Sequence, residues 1–181
     1  MEPITGIILA GGKSSRMGTD KGLIQLAGKP MIQHIIEPLA TICDRILIVS
    51  GNSEYAKFGF ELVQDEVSDF GPVAGILSGL RKSKTQKNLV LSCDSPYITT
   101  ELLLQLVAVA TTADVVLACT ETEQHPLIAL YDRSCLIGFE KAVIQCDHRL
   151  TDVLEHFNVV KLLVKKHDLV RNINTPQDLT V

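Results

Sequence analysis

Ile4-Thr5-Gly6-Ile7-Ile8-Leu9 runs directly into Ala10-Gly11-Gly12-Lys13-Ser14-Ser15-Arg16-Met17-Gly18-Thr19-Asp20-Lys21-Gly22. An unbroken apolar run of this length, rather than an alternation, is what a strand covered on both faces requires. A glycine-rich loop leaving the carboxyl end of such a strand lies where open α/β sheets bind ligands. Paired glycines let the main chain approach a ligand and turn its N–H groups toward anionic oxygens. Lys13, Arg16 and Lys21 add three cations to the same stretch. These are the parts of a polyphosphate cradle, and equally of a solvated polar turn. Two familiar phosphate motifs fail. A P-loop ending in Gly12-Lys13-Ser14 needs glycine where Ile7 stands, and a dinucleotide fingerprint needs glycine at Lys13.

Outward from this stretch, apolar runs alternate with helix-like spacings. Strands are predicted over Ile4–Leu9, Arg45–Val49, Asn88–Ser92, Asp114–Ala118 and Val159–Val164. Helices are predicted over Met31–Ile42, Pro72–Lys82, Thr100–Ala110 and Arg133–Gln145, with Thr99 or Thr100 capping the third. Leu117–Tyr131 reads as strand, polar turn and strand, an antiparallel excursion. The whole predicts an α/β fold, a Rossmann-like three-layer αβα sandwich with a mostly parallel sheet. No repeat or long linker divides residues 1–181, which are read as one domain of ordinary size.

Composition narrows the function. Seventeen basic and twenty-one acidic residues give a net charge of −4, without the basic excess of a general nucleic-acid binder. The most apolar stretch, Leu102–Cys119, is interrupted by Gln105, Thr111, Thr112 and Asp114, so no membrane span is expected. The five cysteines are odd in number and lack CxxC spacing, and four of them lie in or beside apolar runs, where a thiol reads as a small buried hydrophobe and not as a metal or redox group. Met1-Glu2-Pro3 does not open like a signal peptide, so a reducing cytoplasm is expected.

The loop Leu9–Gly22 resembles the signature of MobA-type molybdenum cofactor guanylyltransferases, in the superfamily of nucleotide-diphospho-sugar transferase-like folds. Four further elements follow in the family's order. They are Gly28-Lys29-Pro30-Met31, Asp69-Phe70-Gly71-Pro72-Val73-Ala74-Gly75 (one residue shorter before Gly71), Cys93-Asp94-Ser95-Pro96-Tyr97, and Asn172-Ile173-Asn174-Thr175-Pro176. The resemblance implies GMP transfer from GTP to the terminal phosphate of molybdopterin, with Mg²⁺ (or Mn²⁺) as cofactor and pyrophosphate as product. Handover to molybdoenzymes or their chaperones is the implied partnership.

The residue roles come with the resemblance. Asp94 would bind the metal, against a structural reading as a helix cap. Lys21 and Arg16 would meet the phosphates, and Lys13 is as readily a solvated cation. Leu9, Ala10, Gly11 and Gly12 would surround the nucleotide. Asp69 would reach the nucleoside, with Asp65 and Glu66 as rivals. Ser50 aligns with a family asparagine, for which Asn52 could substitute. Asn172 and Asn174 fall on the acceptor or metal side, though both also suit turns and caps. His125 and Arg149 are acceptor-side candidates by position. Related cytidylyltransferases carry alanine at the Gly11 position, so Gly11 favours a purine. A cytidylyl- or sugar-phosphate nucleotidyltransferase and a catalytically silent nucleotide-binding module are the alternatives.

Overall fold

The computed structural model describes residues 2–11, 20–65, 70–109 and 112–179. Its strands are β1 (Ile4–Leu9), β2 (Gln25–Leu26), β3 (Lys29–Pro30), β4 (Arg45–Val49), β5 (Glu61–Val63), β6 (Lys87–Ser92), β7 (Val115–Cys119), β8 (Gln124–Asp132) and β9 (Val159–Leu163). The α-helices are α1 (Met31–Ala40), α2 (Gly71–Lys82), α3 (Thr100–Val109), α4 (Leu136–Ile144) and α5 (Leu150–Leu154). One seven-stranded sheet has the order β5-β4-β1-β6-β8-β7-β9, and β2 and β3 form a separate hairpin. β5, β4, β1 and β6 pair in parallel, with Ile7 opposite Leu47 on one side and Val90 on the other. β8 runs antiparallel to both β6 and β7, and β7 pairs in parallel with β9. The antiparallel excursion is therefore a single reversed strand inserted into the parallel sheet.

Alternation along the strands sorts side chains into two cores. Ile8, Ile48, Leu91 and Leu130 pack with α1 and α3, through Ile32, Ile35, Leu39, Leu103 and Leu106. Ile7, Leu47, Val90 and Tyr131 pack with α2, α4 and α5, through Val73, Leu77, Phe139 and Val153. Each fully buried aliphatic side chain contributes roughly 1.5–3 kcal/mol, so two cores on one sheet are the principal stabilising term. Helix α2 lies close against β1. A Cβ at Gly79 would stand 2.5 Å from Ile7 Cγ2, and one at Gly75 would stand 3.2 Å from Leu9 Cδ2.

The first two predicted strands have the observed bounds. The third helix starts at Thr100 as predicted, while its predicted end, Ala110, lies outside the described residues, and the other elements differ at their ends. α1 stops at Ala40, two residues early, because the Thr41 hydroxyl donates to the Pro38 carbonyl at 2.7 Å and closes the last turn. The fourth predicted helix begins instead as a 3-10 turn at Arg133–Cys135, where Asp132 Oδ1 accepts from the Ser134 N–H at 2.9 Å. Thr99 supplies the cap of α3, its hydroxyl accepting from the Leu102 N–H at 3.3 Å. β5, α5 and the β2–β3 hairpin were not anticipated; each consists of very short elements. Cys93, Cys119 and Cys135 are buried as expected, whereas Cys43 is half-buried and Cys146 exposed. Among the described residues, no helix is long and apolar enough to cross a membrane.

What positions the site is the order of connections around β1. The chain leaves β1 for β4 and β5 on one side and returns to β6 on the other. The carboxyl ends of β1 and β6 therefore adjoin at the point where strand order reverses, the place at which open α/β sheets form a ligand crevice.

Candidate active site at the carboxyl edge of the sheet

Past β1 the backbone is held from both sides. The Ala10 N–H donates to the Val49 carbonyl at 2.9 Å, and the Cys93 N–H donates to the Leu9 carbonyl at 3.0 Å. The Ser50 hydroxyl closes the third bond, donating to the Ala10 carbonyl at 2.7 Å. Leu9 and Ala10 are thereby fixed and buried, while Gly11 emerges exposed. Gly12, Lys13 and Arg16 lie outside the described residues, as do Glu66 and Asp69. Asp65, the described rival of Asp69, accepts a 3.3 Å hydrogen bond from the Ser78 hydroxyl.

Beyond β6 the chain turns at Cys93-Asp94. The Ser92 hydroxyl donates to Asp94 Oδ1 at 2.6 Å, leaving Oδ2 to face Lys21 Nζ at 3.2 Å. The same ammonium donates to Asn174 Oδ1 at 2.8 Å. Thus three residues from the two ends and the middle of the chain meet around one cation. Lys21 and Asp94 side chains retain only 20% and 15% exposure, so their pairing is less screened than an ordinary surface ion pair.

The C-terminal segment is tied onto this edge. The Ile173 N–H donates to the Asp94 carbonyl at 2.8 Å, and the Ser95 hydroxyl donates to Asn172 Oδ1 at 2.8 Å. Asp178 then holds the turn, its Oδ2 accepting from the Asn174 and Thr175 N–H groups at 2.9 and 2.8 Å. Those bonds, with the Thr175 hydroxyl, hold the Asp178 carboxyl below its ordinary value. The N-x-N-T-P segment thus serves as a turn and also sets Asn172 against Ser95 and Asn174 against Lys21.

Asp94 offers a carboxylate and Asn174 an amide oxygen, both of the hard-oxygen type suited to Mg²⁺. No group of three or more His, Cys, Asp or Glu side chains capable of holding a metal occurs among the described residues. That donor set fits an ion that keeps several waters and completes its shell with substrate phosphates, and does not fit an all-protein cage. Cys93, next to Asp94, is buried, and that burial pushes its thiol pKa upward.

Ser50 and Asn52 occupy the loop after β4, but neither presents a free side chain toward the crevice. Asn52 Nδ2 donates to Asp20 Oδ2 at 3.1 Å, and Asn52 Oδ1 accepts from the Glu54 N–H at 3.0 Å. His125 stands at the start of β8, beside a register shift between Leu117 and Ala118. Its Nε2 is shielded from solvent and has no hydrogen-bond partner among the described residues. Burial lowers its pKa below the usual 6.5, against the opposing pull of Glu123, so the ring is neutral at pH 7. Arg149 is exposed at the cap of α5, next to His148, whose ring lies 3.9 Å from that of Phe70 at the start of α2. Among the described residues, neither His125 nor Arg149 is hydrogen-bonded to Lys21, Asp94 or Asn174.

Sequence reasoning passed over Asp20, Tyr55, Ser92 and Asp178, which hold the site from behind. Asp178 had a signal, lying three residues after Thr175 in a capping arrangement. Tyr55 had none, being one of three aromatics, with Phe58 and Phe60, in a stretch without a motif.

Comparison with known proteins identifies the relatives of the chain. A family model described as a MobA-like NTP transferase domain matches residues 6–162. A protein of Flavobacterium johnsoniae named probable molybdenum cofactor guanylyltransferase is 36% identical, the match covering 99% of this chain and 96% of the relative. A molybdenum cofactor guanylyltransferase of Yersinia pseudotuberculosis is 35% identical, covering 98% and 94%. The crystal structure of molybdopterin-guanine dinucleotide biosynthesis protein A from Archaeoglobus fulgidus superposes with a TM-score of 0.82 at 26% identity, covering 97% and 94%. The chain therefore belongs to the MobA-like NTP transferases, among the molybdenum cofactor guanylyltransferases.

Proposed function

We propose that residues 1–181 act as one nucleotidyltransferase domain that moves GMP from GTP to the terminal phosphate of molybdopterin. An oxygen of that phosphate forms a bond to the α-phosphorus of GTP. The bond from the α-phosphorus to its bridging oxygen breaks, and pyrophosphate leaves with the electron pair. The attacking group is already largely ionised at neutral pH, since the second pKa of a phosphate monoester is about 6. No general base is needed, and what must be overcome is the repulsion between two anions. The one observation that carries the proposal is the meeting of Lys21, Asp94 and Asn174 beside the exit of the glycine-rich loop.

In this reading Lys21 and Arg16 neutralise the triphosphate and the departing pyrophosphate, as preorganised charge does at other phosphoryl-transfer sites. Leu9, Ala10, Gly11 and Gly12 line the approach of the nucleotide. Asp69 accepts from the nucleoside, and Ser50 and Asn52 support the same side. Asp94, with Asn174 beside it, would hold Mg²⁺, which when bound supplies charge neutralisation across the phosphates. Asn172, Asn174, His125 and Arg149 face the acceptor. We place the reaction in the cytoplasm, with the product passed to molybdoenzymes or their chaperones.

Pyrophosphate release from purified protein, Mg²⁺ and molybdopterin, measured in turn with GTP, CTP and UTP, tests the proposal. Turnover with GTP and its loss in Asp94→Ala are expected. Turnover with CTP or UTP would move the activity to another base, and GTP binding without turnover would make the chain a silent nucleotide-binding module.

A further inference from the structure

The two ends of the glycine-rich loop are fastened by the same short segment, Ser50–Tyr55. At the near end Ser50 takes the Ala10 carbonyl, and the Asn52 N–H donates to Ser50 Oγ at 3.1 Å. At the far end the Asp20 carboxylate is surrounded by donors. Its Oδ1 accepts from the Gly22 N–H at 3.3 Å and from the Tyr55 hydroxyl, and its Oδ2 accepts from Asn52 Nδ2 at 3.1 Å. Asp20 is the residue that caps the 3-10 turn Lys21–Leu23, so whatever fixes Asp20 also fixes the backbone carrying Lys21.

Tyr55 is fully buried and cannot drift. Its ring packs so closely on Gly22 that a Cβ there would stand 3.2 Å from Cε1, and closer still to the hydroxyl. Burial first, then the neighbouring Cys93 and Asp20, drives its pKa well upward. The phenol therefore stays protonated and remains a donor at any working pH. A hydrogen bond to a charged acceptor is among the stronger kinds, the more so away from water. The next residue after Asp20 is the cation that reaches Asp94 and Asn174.

We propose that Asp20, Tyr55 and Asn52 are positioning residues for Lys21: the phenol and the amide hold the Asp20 carboxylate, which sets the turn presenting the ammonium to Asp94 and to the triphosphate. The proposal deepens the function given above and rests on it for the phosphate role of Lys21. It reassigns Asn52 from nucleotide contact to support of the cation. It also accounts for Gly22, since a side chain there would displace Tyr55 from Asp20.

The test combines kinetics with chemical labelling. Tyr55→Phe removes one oxygen and leaves the packed ring, and Asn52→Ala serves as the second variant should the first melt at a lower temperature. Acylation of the Lys21 amine by an amine-reactive ester, read by peptide mass spectrometry in the absence of nucleotide, is expected to quicken severalfold in both variants. Labelling unchanged in both would overturn the proposal whatever the protein catalyses. In turnover with GTP and molybdopterin, Tyr55→Phe is expected to lose about tenfold in kcat/KM for GTP, as for one charge-assisted hydrogen bond. Added to Lys21→Ala it should cost nothing further, because residues acting through one group are not additive. Independent, multiplying losses would overturn the positioning role and leave the proposed function standing. A Lys21→Ala variant as active as the unchanged protein would instead remove the phosphate role of Lys21, and with it the purpose assigned to the device.

Discussion

Two parts of the same sheet edge are built differently. Around β1 and β6 described polar groups meet one another: Lys21 meets Asp94 and Asn174, Asp94 meets Ser92, and Asn172 meets Ser95. Around β8 and α5 the candidate groups stand apart, with His125 Nε2 shielded and, among the described residues, unpartnered, and Arg149 exposed. The first part holds its charged groups together before any ligand arrives, so a ligand that replaces those contacts finds the groups already gathered. Among the described residues, the His125 ring nitrogen Nε2 and the exposed Arg149 side chain show no such bracing. A catalytic centre and a substrate-receiving surface would be expected to differ in this way, the first governing rate and the second governing affinity.

The largest effect should come from the organised part. Asp94→Ala is expected to lower turnover on the order of 10³-fold, with the melting temperature little changed, because it removes the group that orders the charges around Lys21. A loss below tenfold in steady-state assays would break the distinction between the two parts. Next comes Arg149→Ala, expected to raise KM for molybdopterin about thirtyfold while kcat and KM for GTP hold, as when a charge that serves binding alone is removed. A fall in kcat instead would place Arg149 with the organised group.

Gly11 sharpens the comparison from inside the organised part. A Cβ there would meet nothing among the described residues nearer than the Val49 carbonyl at 4.0 Å. Gly11→Ala should therefore fold normally, and an effect on nucleotide use would arise on the ligand side. Kinetics with GTP should show about a tenfold loss in kcat/KM, the scale of one misplaced methyl in a fitted pocket. Unchanged GTP kinetics would remove Gly11 from base selection.

The smallest effect is one of pH. The folded-state pKa of His125 lies below 6.5, with burial as the first cause, so the unfolded chain binds the proton more readily. Stability from this residue is complete above pH 6.5 and is lost as pH falls through the lowered folded value. His125→Gln should flatten the acid limb of a stability-against-pH curve measured by urea unfolding. An unaltered limb would show that the ring is solvated and belongs with the exposed residues.

How far the sequence was legible follows the same division. β1 and β4 were read to the residue because both their faces are buried, which writes a continuous apolar run into the chain. The reversed strand announced itself through the polar turn at Glu121–Gln124. β5 and α5, of three and five residues, are too short to carry a period and are set by tertiary contact. Within the site, Asp94 and Asn174 stood out because each lies in a short element that resembles one of the family's. The device of Asp20, Tyr55 and Asn52 did not, since its members are brought together across 32 and 35 residues by the pairing of β1 with β4. Local pattern reveals groups that work beside their neighbours in sequence, and only the folded chain reveals those that work through distant ones.

The most direct test is a crystal structure with GTP and Mg²⁺ bound. The account predicts the triphosphate lying between the exit of β1 and Asp94, the metal on the Asp94 carboxylate, and Lys21 Nζ on a phosphate oxygen. A triphosphate bound away from Asp94, or a metal held elsewhere while Lys21 stays on Asn174, would contradict it.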